Sequence, residues 1–208
     1  GISACLTKNY KRVLYINAGR LQSFQRMLEN KSSITASDVY AKLANPSENA
    51  YNDVKHVIRQ ELFSYLPPFK TSLLSLGLSY SLYGRLAESA KKSNEYDFIV
   101  IDAEASFNED VAKLIDIADK VIVVTKQTMN SVYATNVLVS NINGSGSDKY
   151  SFICNDFDKG ADNALISPEI ALKFNVTEYI EHMEHFDGLK CGELSNSSGI
   201  QKTAFLIL

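Results

Sequence analysis

The segment YDFIVIDAEASF, Tyr96 to Phe107, runs a stretch of β-type hydrophobic residues into an aspartate, Asp102, and there the pattern stops. A carboxylate at the end of a buried strand has two uses. It can orient a divalent cation such as Mg²⁺, directly or through a bound water, because the strand fixes it and a hard cation takes oxygen ligands. It can also cap the loop that follows, since an Asp side chain accepts from backbone N–H groups nearby. Asn17, Thr125 and Asn155 hold the same place at the ends of RVLYIN, KVIVVT and YSFICN. Ligands of open parallel sheets bind beyond the carboxyl ends of the strands, so these four positions are the first candidates for function. A carboxamide such as Asn155 offers both donor and acceptor to a ring edge. Its alternative is an Asx turn opening the loop NDFDKG.

Such positions need a scaffold that holds strand ends side by side. Five segments read as strands: 12–17, 97–102, 120–125, 150–155 and 175–180. Several are apolar on successive residues, the pattern of strands buried on both faces in a parallel sheet. Helical spacing appears at 20–30, 47–62, 71–92, 108–118 and 130–142, with Leu74, Leu78, Leu82 and Leu86 repeating along the third. Asn108 is placed to cap the fourth, with Glu109 and Asp110 in its first turn. Alternating strand and helix predicts an α/β fold, a three-layer α/β/α sandwich with a mostly parallel sheet. The prolines of YLPPF, 65–69, predict a break between two helices. The glycines of NGSGSDK follow a helix and precede a strand, so this stretch is a connector and not a phosphate loop, which runs from strand into helix.

The composition narrows the classes. With 208 residues, 45% of them hydrophobic, the chain suits one domain with a sizeable core. Its 21 basic and 24 acidic residues give a net charge of −3, and Lys and Arg never run longer than two, so there is no footprint for non-specific nucleic-acid binding. Cys5, Cys154 and Cys191 are odd in number and form no ligand spacing with His56, His182 or His185. No apolar run approaches the ~20 residues of a membrane span. The expectation is a soluble, reduced, cytoplasmic chain.

The order of these segments adds more. YDFIVIDAEASF, then IADKVIVVTKQTMNSVYATNVL, then FICNDFDK resembles the MinD/ParA-like P-loop ATPases, including their CpaE-like branch, whose pattern is YDxIIIDxPxG, ADxVIVVTxPExxS and a strand ending in Asn. KRVLYINAGRLQSF resembles the family's KxVLxIDxDxQ strand, and the likeness spans residues 8 to 160. The resemblance implies a P-loop NTPase-like fold, ATP and Mg²⁺ as cofactors, a nucleotide-dependent homodimer and a further, unidentified protein partner. It makes Asp102 the metal-side carboxylate. Asn17 and Glu104 fall in the catalytic switch regions, and Asn155, Asp156, Glu181 and His182 fall where that family contacts the base.

The same resemblance exposes departures. The family's GKT-bearing phosphate loop and central strand precede the segment matching 12–17, so residues 1–208 are expected to form a single P-loop ATPase-like domain without that strand and loop, with GISACLTKNY the end of the helix between. Where the family has DxD, this chain has Asn17, Ala18 and Gly19. Where it has DxPxG, this chain keeps Asp102 but places Glu104 and Ser106. Two readings follow: a switch that binds ATP and hydrolyses it slowly, and a degenerate interaction module of the same fold that does not hydrolyse it. A phospho-receiver domain, suggested by Asp102 and Thr125 on successive strands, lacks the acidic pair and the Lys that it needs.

Overall fold

The computed structural model describes residues 1–208 apart from Ser23, Pro46 and Glu48. The contacts divide into two compact units: Ser3–Ile117 with Lys190–Glu193, and Ala118–Leu189 with Leu194–Leu208.

In the first unit β1 (Val13–Ala18), β2 (Arg59–Gln60), β3 (Ser64–Tyr65) and β4 (Phe98–Ala103) form a sheet in the order β2-β3-β1-β4. β1 pairs in parallel with both neighbours, and only β2 runs antiparallel. The helices are α1 (Ile2–Lys8), α2 (Ser37–Ala44), α3 (Ala50–Val54), α4 (Leu82–Ser93) and α5 (Glu109–Ile117). Leu14 and Ile16 of β1 pack with Tyr51, Leu82, Tyr83 and Leu86 in a continuous core. Each such side chain, fully buried, stabilises the fold by ~1.5–3 kcal/mol. Asn108 caps α5 as expected, its Oδ1 accepting from the Val111 N–H at 3.1 Å.

In the second unit β5 (Val121–Thr125), β6 (Tyr150–Phe157) and β7 (Val176–Glu181) form an all-parallel sheet. α6 (Met129–Asn141) follows β5 and sets Val132 and Val139 against Val123, Phe152 and Cys154. After the short α7 (Cys191–Leu194) comes α8 (Ser198–Phe205), which lies on β7. That contact is tight at Gly199, where an added Cβ would meet the Tyr179 carbonyl oxygen at 2.6 Å and the Ile180 Cα at 2.9 Å. All three cysteines are buried free thiols. Among the described residues no helix is long and apolar enough to cross a membrane.

The α/β class, the mostly parallel pairing and the five strands stand. Three helical expectations are corrected. Residues 20–30, of which Ser23 lies outside the described residues, form only a 3₁₀ turn at Phe24–Met27. Side chains, not helical carbonyls, take up backbone groups there: the Glu61 carboxylate accepts from the Glu29 and Asn30 N–H groups at 3.0 Å. Residues 47–62, with Glu48 outside the description, become α3, a 3₁₀ turn and then β2. In 71–92 the helix begins only at Leu82, because Gly77 sits in the left-handed region at φ 67° and ends an earlier turn, leaving Leu74 exposed. YLPPF does not separate helices. Tyr65 ends β3, the Leu66 N–H reaches the Tyr15 carbonyl at 3.0 Å, and the prolines, which lack an N–H, stop the ladder there. One further difference concerns burial: Phe98 to Ile101 are only half-buried, since among the described residues β4 is the last strand of its sheet and pairs on one edge.

Candidate functional site

The carboxyl ends of β1 and β4 are aligned by six register pairs, the fifth being Asn17 with Asp102. Side chains alternate along a strand, so Tyr15 shares a face with Asn17 while Leu14 and Ile16 turn into the core. The Tyr15 hydroxyl donates to Asp102 Oδ2 at 2.8 Å. Asn17 Nδ2 lies 3.3 Å from the same oxygen and 3.2 Å from the Tyr15 oxygen. No described residue donates to Asp102 Oδ1 in any of these contacts, and Asp102 itself is exposed.

The loop after β1 folds on itself. Gly19 N–H donates to Asn17 Oδ1 at 3.2 Å, Gln22 Nε2 donates to the Asn17 carbonyl at 2.5 Å, and the Tyr83 hydroxyl donates to the Gly19 carbonyl at 3.1 Å. A Cβ at Gly19 would lie 3.0 Å from both Asn17 Oδ1 and the Leu21 carbonyl, so the tight turn favours glycine. Arg20 leaves this loop to pair with Glu104 and to stack 4.8 Å above the Tyr80 ring. Glu104 also accepts from Ser106 Oγ at 2.8 Å, and Ser106 accepts from Asn108, the cap of α5. Glu104 is thus engaged by a cation.

In the second unit the strand ends carry charge pairs. β6 has a register irregularity between Asn155 and Phe157, and the residue within it, Asp156, adopts a left-handed φ of 61° that Asp tolerates better than most residues. Its carboxylate bridges Lys126, just past β5, and His182, just past β7, both at 2.7 Å. Lys126 and then His182 hold the Asp156 carboxyl below its usual range, and the hydrogen bond to Asp156 raises the His182 imidazolium above its own. Glu181 pairs with Lys159 at 2.6 Å, which lowers its carboxyl pKa. The half-buried Asn155 carboxamide makes no hydrogen bond among the described residues. Thr125 is buried, its hydroxyl bonded to Thr135 at 2.9 Å and Ser131 at 3.1 Å, so it serves the β5 to α6 turn.

The structure therefore groups Asn17 with Asp102, and Asp156 with His182, and gives Glu104 and Glu181 cationic partners. Sequence reasoning missed Tyr15, Arg20 and Lys126. Only Tyr15 left a signal, its two-residue spacing from Asn17. Among the described residues no three His, Cys, Asp or Glu side chains gather closely enough to hold a metal by themselves.

No protein-family model matches the chain, and no curated protein matches it. Solved structures do. The chain is similar to MinD in the MinC:MinD cell division complex of Aquifex aeolicus, with a TM-score of 0.70 and 20% identity over 99% of this chain and 86% of that one. It is similar to the septum site-determining protein MinD of Pyrococcus horikoshii, solved with Mg-ADP, at TM-score 0.66 and 18% identity over 99% and 87%. A ParA family ATPase from Chlorobium tepidum follows at 0.67 and 15% identity over 98% and 86%. Over nearly its whole length, then, this chain has the α/β fold of the MinD/ParA-type P-loop ATPases.

Proposed function

We propose that the chain is the switching domain of a MinD/ParA-like regulatory or positioning protein, which binds Mg²⁺ and ATP, dimerises around the nucleotide in the cytoplasm and hydrolyses it slowly. One observation carries the reading: in this fold, Asp102 stands at the carboxyl end of β4 with one carboxylate oxygen bonded and the other open to a ligand. The donor set fits Mg²⁺, which commonly takes one or two carboxylates and completes its shell with water and phosphate oxygens. When bound there it would neutralise phosphate charge. Asp102 would hold it. Within the second unit, Asn155, with its carboxamide unengaged, is the candidate for reading a base, and Asp156, Glu181 and His182 are the other candidates there. The fold neighbour from Pyrococcus horikoshii was solved with Mg-ADP.

The proposal takes the phosphate-gripping loop to come from sequence ahead of Gly1. The half-buried, unpaired edge of β4 supports this, because a further parallel strand would cover it. Slow turnover follows from the loop after β1. Asn17 is uncharged, Gly19 has no side chain, and Glu104, the remaining acidic candidate for catalysis, is paired with Arg20. Loss of water positioning and of charge neutralisation can each cost several kcal/mol, and every ~1.4 kcal/mol is tenfold in rate. The Arg20 pair also favours a second reading, a module that binds nucleotide without hydrolysing it.

Phosphate release by the full-length protein separates these. The proposal expects turnover at least about tenfold below a MinD/ParA ATPase assayed alongside, falling further in Glu104→Gln. No turnover with intact nucleotide binding selects the second reading. Turnover at the ordinary rate, unchanged in Glu104→Gln, contradicts both.

A further inference from the structure

The two donors to Asp102, the Tyr15 hydroxyl and the Asn17 amide, are both neutral. We infer that Tyr15 is the positioning residue of Asp102: by donating to Oδ2 it sets the carboxylate so that Oδ1 alone is presented to a nucleotide-bound divalent cation. This rests on the nucleotide-binding reading above and adds to it a residue that neither the strand pattern nor the fold assigns.

The geometry supports the role at each step. Tyr15 and Asn17 lie two apart on β1, and Asn17 is in direct register with Asp102, so the three polar groups meet by strand pairing and need no loop to fold over them. The Tyr15 ring is held edge-on by Phe24 at 5.3 Å and Phe63 at 5.9 Å between centroids, which fixes where its hydroxyl points. Asn17 reinforces it by reaching both oxygens of the Tyr15–Asp102 bond.

Neutral donors matter for what the carboxylate can still do. A Lys or Arg in Tyr15's place would fix the carboxylate but cancel its charge toward a cation; a phenol and an amide fix it and leave the charge. Asn17 fits the same logic, since a carboxylate at 17 would repel Asp102 where the amide bonds to it. Partners that orient a metal-binding carboxylate typically cost 10–100-fold in metal affinity when removed.

The test is Tyr15→Phe in the full-length protein, which keeps the ring and removes only the hydroxyl. ADP affinity is measured by calorimetry in EDTA and in saturating Mg²⁺, and the ratio gives the metal-dependent gain. In Tyr15→Phe that gain should fall about tenfold, while the EDTA affinity and the melting temperature of the nucleotide-free protein stay close to wild type. In an Asp102→Asn background the same change should add nothing, because the two act as a unit. An undiminished gain in Tyr15→Phe overturns the inference and leaves the functional reading standing. So does an equal fall in both affinities together with the melting temperature, which marks a packing role only. Wild-type protein that binds ADP with no gain from Mg²⁺, or does not bind it, overturns the functional reading itself.

Discussion

Asp102 and Asp156 are the same residue type in comparable places, each at the carboxyl end of a parallel strand, yet their surroundings differ. Asp102 accepts from a phenol and an amide, both neutral, and keeps an open oxygen. Asp156 sits between Lys126 and His182, each on one of its oxygens. The first carboxylate retains its charge for a ligand, whereas the second spends it within the protein, tying the ends of β5, β6 and β7 together. Position at a strand end is therefore not enough to assign chemistry; the charge of the partners decides. Glu104 makes the same point within the first unit, since two residues from Asp102 it is paired with Arg20.

The largest effect expected from breaking this contrast is on the frame of the second unit. Gly199→Ala should destabilise the protein by about 1–3 kcal/mol, because the new Cβ meets β7 backbone that cannot move aside like a flexible side chain. Chemical denaturation reads the loss, and an unchanged midpoint would show that α8 does not fix β7 as described.

A smaller effect is expected at Asp156. Its lowered pKa means that its contribution is present above the ordinary carboxylate range and lost as pH falls through the lowered value. The raised pKa of His182 means that its contribution is complete below the ordinary histidine value and lost as pH rises through the raised one. The bridge is whole only between those limits. Asp156→Asn should return the His182 titration toward the ordinary range, seen in the imidazole resonances by NMR, with little change in melting temperature because the paired side chains are solvent-accessible. A titration unmoved by the substitution would remove Asp156 from the comparison.

Much of the fold was legible because apolar residues in succession mark strands of a parallel sheet, as VLYI, FIVI and VIVV do here, although FIVI is only half-buried and Val124 is exposed. Asn108 was legible because a cap is a local device. The miss at YLPPF has the opposite cause. Two residues of β3 make no periodic signal, and their strand character exists only through pairing with β1 and β2. The helix expected at 20–30 failed because its groups are engaged at a distance: Glu61 accepts from the Glu29 and Asn30 N–H groups, and the Gln22 side chain accepts from the Phe69 N–H. At the site, Asp102 announced itself by ending a hydrophobic run. Tyr15 left only its two-residue spacing from Asn17, because its role depends on the register between β1 and β4, and a shift of one residue would have turned it to the other face. Lys126 pairs with Asp156 where β6 is irregular, and no local pattern in the sequence marks that contact.

The central claim is that Asp102 is the carboxylate through which this chain engages Mg²⁺ and nucleotide, and calorimetry on full-length wild type and Asp102→Ala tests it most directly. The account predicts that ADP or a non-hydrolysable ATP analogue binds wild type more tightly in Mg²⁺ than in EDTA, and that Asp102→Ala loses at least about tenfold of that gain while remaining folded. Equal affinity of both proteins in Mg²⁺ would contradict it and return Asp102 to the role of a loop cap.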